Sequence, residues 1–168
     1  MKNTSNNLTN IAMIASVYTV VSLVLAPISF GNIQIRIAEG LVLLPLLSKH
    51  SIYGVVLGCF LTNLIGALMG VNILGFLDVF IGTFATLIAA YLTYYLKDIT
   101  IKDIPVLSIR MPVIINGLFI GLELGFVLFP TNISIGSIMC GLEVAIGELV
   151  AVLIGYIVIK YMKKLKTF

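Results

Sequence analysis

Residues 133–159 read ISIGSIMCGLEVAIGELVAVLIGYIVI, the longest apolar stretch in the chain. An α-helix needs roughly 20 apolar residues to cross a bilayer, so this stretch predicts a transmembrane helix. Its only charged residues are Glu143 and Glu148. A carboxylate at bilayer depth is costly and normally faces a bundle interior or a watery cavity, so buried acids indicate where a ligand or ion pathway lies.

The rest of the chain has the same character. Of its 168 residues, 60% are hydrophobic and 10% are charged, and the mean hydropathy is +1.18. These values are typical of membrane proteins and exclude an ordinary soluble domain. We therefore predict an all-α integral membrane protein, a single domain over residues 1–168 that forms a compact bundle of six transmembrane helices at about 8–28, 35–47, 52–69, 76–96, 111–129 and 133–159.

Proline, glycine and polar residues separate the spans. Pro27, Gly31 and Asn32 are predicted to end the first span, and Pro112 suits the first turn of the fifth. The second span is short, so we expect it to be tilted or only partly inserted. The third span carries glycines that permit close helix contact, namely Gly54, Gly58, Gly66 and Gly70.

Basic residues indicate the orientation. With both termini in the cytoplasm, only Arg36 falls on the extracellular side, and the other nine fall on the cytoplasmic side: Lys2, Lys49, Lys97, Lys102, Arg110, Lys160, Lys163, Lys164 and Lys166. Short cytoplasmic loops are enriched in Lys and Arg, so the sequence predicts cytoplasmic N and C termini. The net charge of +3 then reflects topology and contact with the lipid bilayer, and no nucleic acid is expected as a partner.

Polar side chains within the spans lie mostly toward the extracellular half, where we expect the substrate pocket. The candidates are Arg36, Glu39, Asp78, Asn116, Glu123 and Glu148, together with Asn72 in the extracellular loop between the third and fourth spans. Asn116 and Glu123 are seven residues apart and share one helix face. Glu143 and Glu148 are about 140° apart around the sixth helix and cannot both point at one ligand, so Glu143 is the weakest acidic candidate.

Structural interpretations compete with a binding role. Arg36 and Glu39 could form an i, i+3 ion pair at the membrane interface. Asp78 could serve simply to cap the fourth helix, where its negative charge meets the positive end of the helix dipole. Glu123 and Glu148 are too deep for capping and have no Lys or Arg at their depth, which favours a functional role.

Enzyme chemistry has little support. The only histidine, His50, is predicted to lie in a surface turn, and neither a His-Glu-x-x-His nor a Gly-x-Ser-x-Gly motif is present. We expect no enzyme activity, no cofactor and no metal site, and Cys59 and Cys140 are predicted to pack as small hydrophobes. The chain also lacks a nucleotide-binding Gly-x-x-x-x-Gly-Lys loop, so an ion gradient or a partner must drive any transport.

Several short motifs lie in or next to the apolar segments. Residues 28–39 read ISFGNIQIRIAE, residues 121–124 read GLEL, and residues 145–148 read AIGE. Together with residues 43–46, 58–63, 77–78, 82–87 and 112–117, they resemble the QueT family, the substrate-binding S components of energy-coupling-factor (ECF) transporters for queuosine precursors. This resemblance covers nearly the whole chain.

The resemblance implies a multi-pass protein of the bacterial cell membrane that takes up pre-queuosine 1, an aminomethyl-deazaguanine. It implies an ECF T component and a pair of ABC ATPases as partners. Ala12 and Ser16, four residues apart on the first helix, resemble the small-xxx-small patch that docks on the T component.

The chemistry of a deazaguanine fits these residues. Its guanine-like edge offers adjacent N–H donors to one carboxylate, and its aminomethyl group is cationic and pairs with a second. Arg36 or Asn116 could donate to the base carbonyl, and Phe30 or Phe119 could stack on the ring. Which acid plays which part stays open.

Two functions of different class follow. The chain is either a binding subunit that loads outside and is driven by an ATPase module, or an autonomous proton- or sodium-coupled carrier of a small cationic or heterocyclic solute. In the second case Glu123 or Glu148 would be the relay. A structural subunit without a ligand is disfavoured by the cost of so many buried acids.

Overall fold

The computed structural model describes residues 2–30 and 35–164, and in this part of the chain helices are joined by short turns, with one isolated bridge between Ile101 and Ile104. The helices are α1 (Lys2–Val24), α2 (Ala26–Ser29), the 3₁₀-helix η1 (Ile37–Leu46), α3 (Ser51–Leu68), α4 (Phe76–Tyr95), α5 (Val106–Leu128) and α6 (Ile133–Lys164). Gly31, Asn32 and Lys166, which the sequence analysis used, lie outside the described residues.

Five helices in the described ranges are long and apolar enough to cross a membrane. They are α1, α3, α4, α5 and α6, and each overlaps most of a predicted span. The all-α membrane bundle is therefore confirmed. The six-span topology and its orientation remain predictions.

The first predicted span was wrong at its end. Helix α1 ends at Val24, and the separate one-turn helix α2 follows, with Pro27 in its first turn. Proline is favoured in a first helical turn, where its missing N–H costs nothing, so Pro27 begins a new helix here and does not end the old one.

The start of the fifth span was also wrong. Helix α5 begins at Val106, which places Pro112 inside the helix and not in its first turn. A proline leaves the carbonyl four residues earlier without its helical donor. That carbonyl belongs to Ser108, and it accepts a hydrogen bond of 3.3 Å from the Thr93 hydroxyl of α4. A neighbouring side chain thus satisfies the freed backbone group, as is common in membrane helices.

The second predicted span, residues 35–47, is the 3₁₀-helix η1. Ten residues of 3₁₀-helix extend about 20 Å, less than the hydrocarbon thickness. Even so, the segment runs the length of α4, because Arg36 contacts Asp78 in its first turn and Lys49 lies over the Tyr94 ring at its end. It therefore passes from one end of the bundle to the other.

A close backbone contact places η1 against α6. Gly40 packs on Gly155 so tightly that a methyl group at Gly40 would lie 2.6 Å from the carbonyl oxygen of Ala151. Any larger side chain would push the two segments apart. The contact keeps η1 inside the bundle, where Glu39 is 2% exposed.

The two ends of the bundle differ in character. Lys49 and Lys97 both lie over the Tyr94 ring, at 5.9 and 4.2 Å, and Asn7 is 3.3 Å from His50 at the same end. The opposite end holds three polar residues, Arg36, Asn72 and Asp78, with the Phe30 ring beside Arg36. This separation agrees with the charge pattern of the sequence.

Glycines form the helix contacts as predicted, with one exception. Gly54 and Gly58 of α3 lie against α1, and Gly121 of α5 is so close to α6 that an added methyl group would lie 2.5 Å from the Gly141 Cα. Gly70 instead has a φ of +69° and no neighbour within 4 Å. It is a turn residue rather than a helix contact.

Candidate substrate-binding site

A small polar cavity lies in the bundle where η1, α4, α5 and α6 meet. Its volume is about 20 Å³, and it is lined by Arg36, Glu39, Gly82, Thr86, Asn116, Ile120, Val144 and Glu148. A cavity of this volume holds about one water molecule. Four of the predicted site residues, from three different segments of the chain, therefore border one space.

A buried ion pair closes one side of this site. Arg36 donates to Asp78 Oδ2 at 2.8 Å, and the two residues are 6% and 0% exposed. Asn72 donates to the same oxygen at 2.9 Å and is itself held through its Oδ1, which accepts from the Leu74 N–H. These contacts use one oxygen of Asp78 and fix its carboxylate.

This geometry overturns one structural interpretation of the sequence and limits another. The partner of Arg36 is Asp78 and not Glu39, so the i, i+3 ion pair was wrong. Asp78 does lie in the first turn of α4, but its carboxylate is bound by two side chains from outside that helix. Helix capping alone therefore does not account for it.

Glu39 reaches the cavity from η1. Its Oε1 accepts a short hydrogen bond from the Tyr18 hydroxyl of α1 and lies 3.4 Å from the Thr86 hydroxyl of α4. Its Oε2 is buried without a hydrogen-bond partner among the described residues. Glu39 thus resembles Asp78, since one oxygen is held by the protein and the other is not.

Asn116 and Glu148 complete the cavity from α5 and α6. The Asn116 amide lies near both Glu39 and Glu148, within range of electrostatic interaction. Glu148 is 4% exposed, whereas Glu143 is exposed, as expected from their separation around the helix. Glu123 shares the buried face of Asn116 and interacts electrostatically with the Arg36–Asp78 pair, but it does not line the cavity.

Buried carboxylate oxygens without a donor are the main electrostatic feature. In the described part of the chain five such oxygens lie in this region: Glu39 Oε2, Asp78 Oδ1, Glu123 Oε1, Glu123 Oε2 and Glu148 Oε1. A buried acceptor without a donor costs about 1–3 kcal/mol, and more when charged. The single arginine of the site is already paired, so the site has an excess of hydrogen-bond acceptors over donors.

Several predicted contact residues do not border the cavity. Phe30 is buried, but its ring packs on Gly66 and under the Arg36 guanidinium, 5.3 Å from the ring centroid. Phe119 faces Phe84 in an edge-to-face pair at 5.9 Å and is turned away from the site. Asn72 does not line the cavity, and its side chain donates a hydrogen bond to Asp78.

The predicted docking pair lies on the outside of the bundle. Ala12 and Ser16 are exposed on α1, and the Ser16 hydroxyl bonds the Ala12 carbonyl at 2.8 Å. The face is accessible, while its use for docking stays a prediction. His50 is exposed, and Cys59 and Cys140 are buried free thiols, as predicted.

The sequence analysis missed three polar residues of the site. Tyr18 and Thr86 bind Glu39, and Asn63 of α3 donates to the Asp78 backbone carbonyl at 2.8 Å. All three lie in the middle of apolar helices, where a polar side chain needs a partner inside the bundle. That position in the sequence was an available signal for a buried polar contact.

The chemistry of the site follows from its buried acceptor oxygens. The site can accept hydrogen bonds from a small ligand rich in N–H groups and can neutralise positive charge. No group of three or more His, Cys, Asp or Glu side chains in the described residues could hold a metal ion. The fold and the site together define a multi-pass helical membrane protein with an acid-rich pocket inside the bundle.

Comparison with known families identifies the class further. A profile of the QueT transporter family matches residues 8–164, nearly the whole chain, and the chain belongs to this family. The resemblance found in the sequence is confirmed, and because this is a family of transporters, so is the prediction that the chain is not an enzyme. A search of the curated proteins and a search of the solved structures gave no match.

Proposed function

We propose that the chain is the substrate-binding S component of an ECF-type importer in the bacterial cell membrane, and that its ligand is pre-queuosine 1, 7-aminomethyl-7-deazaguanine. Its partners would be a T component and a pair of ABC ATPases. In this proposal the chain crosses the membrane six times with both termini in the cytoplasm, and the pocket opens toward the outside.

The excess of buried acceptors is the observation that carries the proposal. Glu39, Asp78, Glu123 and Glu148 converge on one region, and in the part of the chain that the structure describes Arg36 is the only cationic side chain with them. A ligand that brings adjacent N–H donors and an ammonium group would satisfy these oxygens and balance the charge. An anionic ligand would add to the repulsion.

The size of the cavity requires movement when a ligand binds. Sites for small molecules usually have volumes of about 300–1,000 Å³, far above the 20 Å³ found here. At least one wall must therefore move outward to admit a deazapurine. We expect α5 and α6 to stay together in this movement, because their backbones touch at Gly121 and Gly141.

Calorimetry on the purified chain, without ATP or partners, tests the proposal directly. We expect binding of pre-queuosine 1 at micromolar or tighter levels, because the recognition groups lie on this one polypeptide. The nitrile precursor lacks the ammonium group, so it should bind about ten- to a hundredfold more weakly. Queuine and guanine complete the panel. A folded protein that binds none of these compounds would rule out the assignment.

The autonomous carrier remains the second candidate because of Glu123. Both of its carboxylate oxygens are buried without a partner among the described residues, so neither oxygen is committed to a structural hydrogen bond. Vesicles that contain the chain alone, with a proton or sodium gradient, separate the two functions. Uptake driven by the gradient would favour the carrier, whereas uptake only after addition of the ATPase module and ATP would favour the S component.

A further inference from the structure

Helix α1 contributes to the site without reaching the cavity. None of its described residues lines that space, yet Tyr18 is completely buried and its hydroxyl donates to Glu39 Oε1. The bond joins residues 21 positions apart on different segments. A phenol buried in a membrane bundle needs a hydrogen-bond acceptor. The acceptor here is Glu39, which lines the proposed pocket, so the bond links α1 to that pocket.

The hydrogen bond from Tyr18 makes the two carboxylate oxygens of Glu39 different from each other. Oε1 is held by Tyr18, and Oε2 is buried without a donor in the described residues. Thr86 has one hydroxyl hydrogen for two acceptors, because its Oγ1 lies 3.4 Å from Glu39 Oε1 and 3.2 Å from Cys59 Sγ. Tyr18 therefore makes the closest hydrogen bond to this carboxylate, and the Asn116 amide also lies near it.

Contacts between α1 and α3 fix Tyr18 itself. A methyl group at Gly58 would lie 2.7 Å from the Tyr18 Cβ, so the glycine allows the tyrosine backbone to approach α3. The next residue, Thr19, donates to the Gly58 carbonyl at 3.3 Å. These contacts involve no pocket residue, so the phenol is held in place independently of any ligand.

We propose that Tyr18 is a positioning residue for ligand recognition, which holds Glu39 with Oε2 directed into the cavity as an acceptor for an N–H group of the ligand. The proposal rests on the proposed function, because it concerns the same pocket. It extends recognition to α1, the helix whose opposite face carries Ala12 and Ser16. A preoriented carboxylate binds more tightly because less rotational freedom is lost on binding.

The first test needs no ligand. The carboxyl band of Glu39 is identified in the infrared spectrum of the reconstituted protein as the band that disappears in Glu39→Gln. Tyr18→Phe should shift this band, and Tyr156→Phe, a change of a partly buried tyrosine of α6 that does not line the cavity, should leave it unchanged. An unshifted band in Tyr18→Phe would overturn the proposal. If Tyr18→Phe fails to fold, site-specific fluorotyrosine at position 18, a stronger donor, should shift the band in the opposite direction, and no shift would count equally against it.

The second test is a double-mutant cycle on binding of pre-queuosine 1. Tyr18→Phe should weaken binding about two- to tenfold, the equivalent of one net hydrogen bond. In a Glu39→Ala background the same change should have no further effect, because Tyr18 acts through Glu39. An equal loss in both backgrounds would overturn the proposal. A wild-type protein that binds no deazapurine would instead count against the proposed function, and the infrared test would still decide whether Tyr18 orients Glu39.

Discussion

Breaking the buried Arg36–Asp78 pair should show how strongly the buried acids of the site depend on their cationic neighbour. Removing one partner of a buried ion pair typically costs about 3–5 kcal/mol, because the other charge is left uncompensated. The two ends of this pair are not equivalent. Arg36 also interacts with Glu39 and Glu123, whereas Asp78 has Arg36 as its only cationic contact among the described residues.

This asymmetry sets the expected magnitudes. Asp78→Asn should lower the free energy of unfolding by about 3 kcal/mol, since the nearby acids still balance part of the arginine charge. Arg36→Gln should cost about 5 kcal/mol, because it leaves several buried carboxylates without a cation. The double variant replaces the pair by two amides and should cost about 2–3 kcal/mol less than the sum of the single changes.

Reversible unfolding of the ligand-free protein in mixed micelles with increasing dodecyl sulfate measures these free energies. Asp98→Asn, at an exposed loop position, is the matched control and should change stability by less than about 0.5 kcal/mol. The reasoning would be refuted if Asp78→Asn cost more than Arg36→Gln, or if the two changes were simply additive.

Three further outcomes are expected. Glu123→Gln should weaken binding of pre-queuosine 1 by about 1.5–3 kcal/mol in calorimetry, the worth of a hydrogen bond to a charged group, and an unchanged affinity would make Glu123 structural. Gly82→Ala should lower stability by about 1–3 kcal/mol in the same unfolding assay, because the methyl group would overlap Asp78 Oδ1; wild-type stability would show that the carboxylate can move aside. Ala12→Leu or Ser16→Leu should spare binding but reduce ATP-driven uptake, and equal loss of both would argue against a docking face.

Much of the architecture could be predicted because the bilayer constrains it. Apolar length alone gave spans at 52–69 and 76–96, and the helices run over Ser51–Leu68 and Phe76–Tyr95. The cost of burying charge also directed attention to residues that the structure buries close together. Arg36, Glu39 and Glu148 do border one cavity, since lipid exposure would be too costly for each of them.

The parts that failed depend on contacts distant in sequence. The early start of α5 is possible because Thr93 satisfies the carbonyl that Pro112 leaves free, and no local pattern around Pro112 shows this. The partner of Arg36 likewise lies 42 residues away, while an acid three residues away matched the local rule. Rules based on neighbouring residues describe an isolated helix. In a bundle, a residue distant in sequence can be the stronger partner, as Asp78 is for Arg36.

The small volume of the cavity also has a kinetic meaning. If a wall must open before a base can enter, the rate of association is set by that opening and not by diffusion. The observed rate should then level off as ligand concentration rises, at the frequency with which the protein opens. The same closure would retain a bound molecule for a long time. Release would therefore depend on whatever forces the bundle apart, which gives a partner protein control over the moment of delivery.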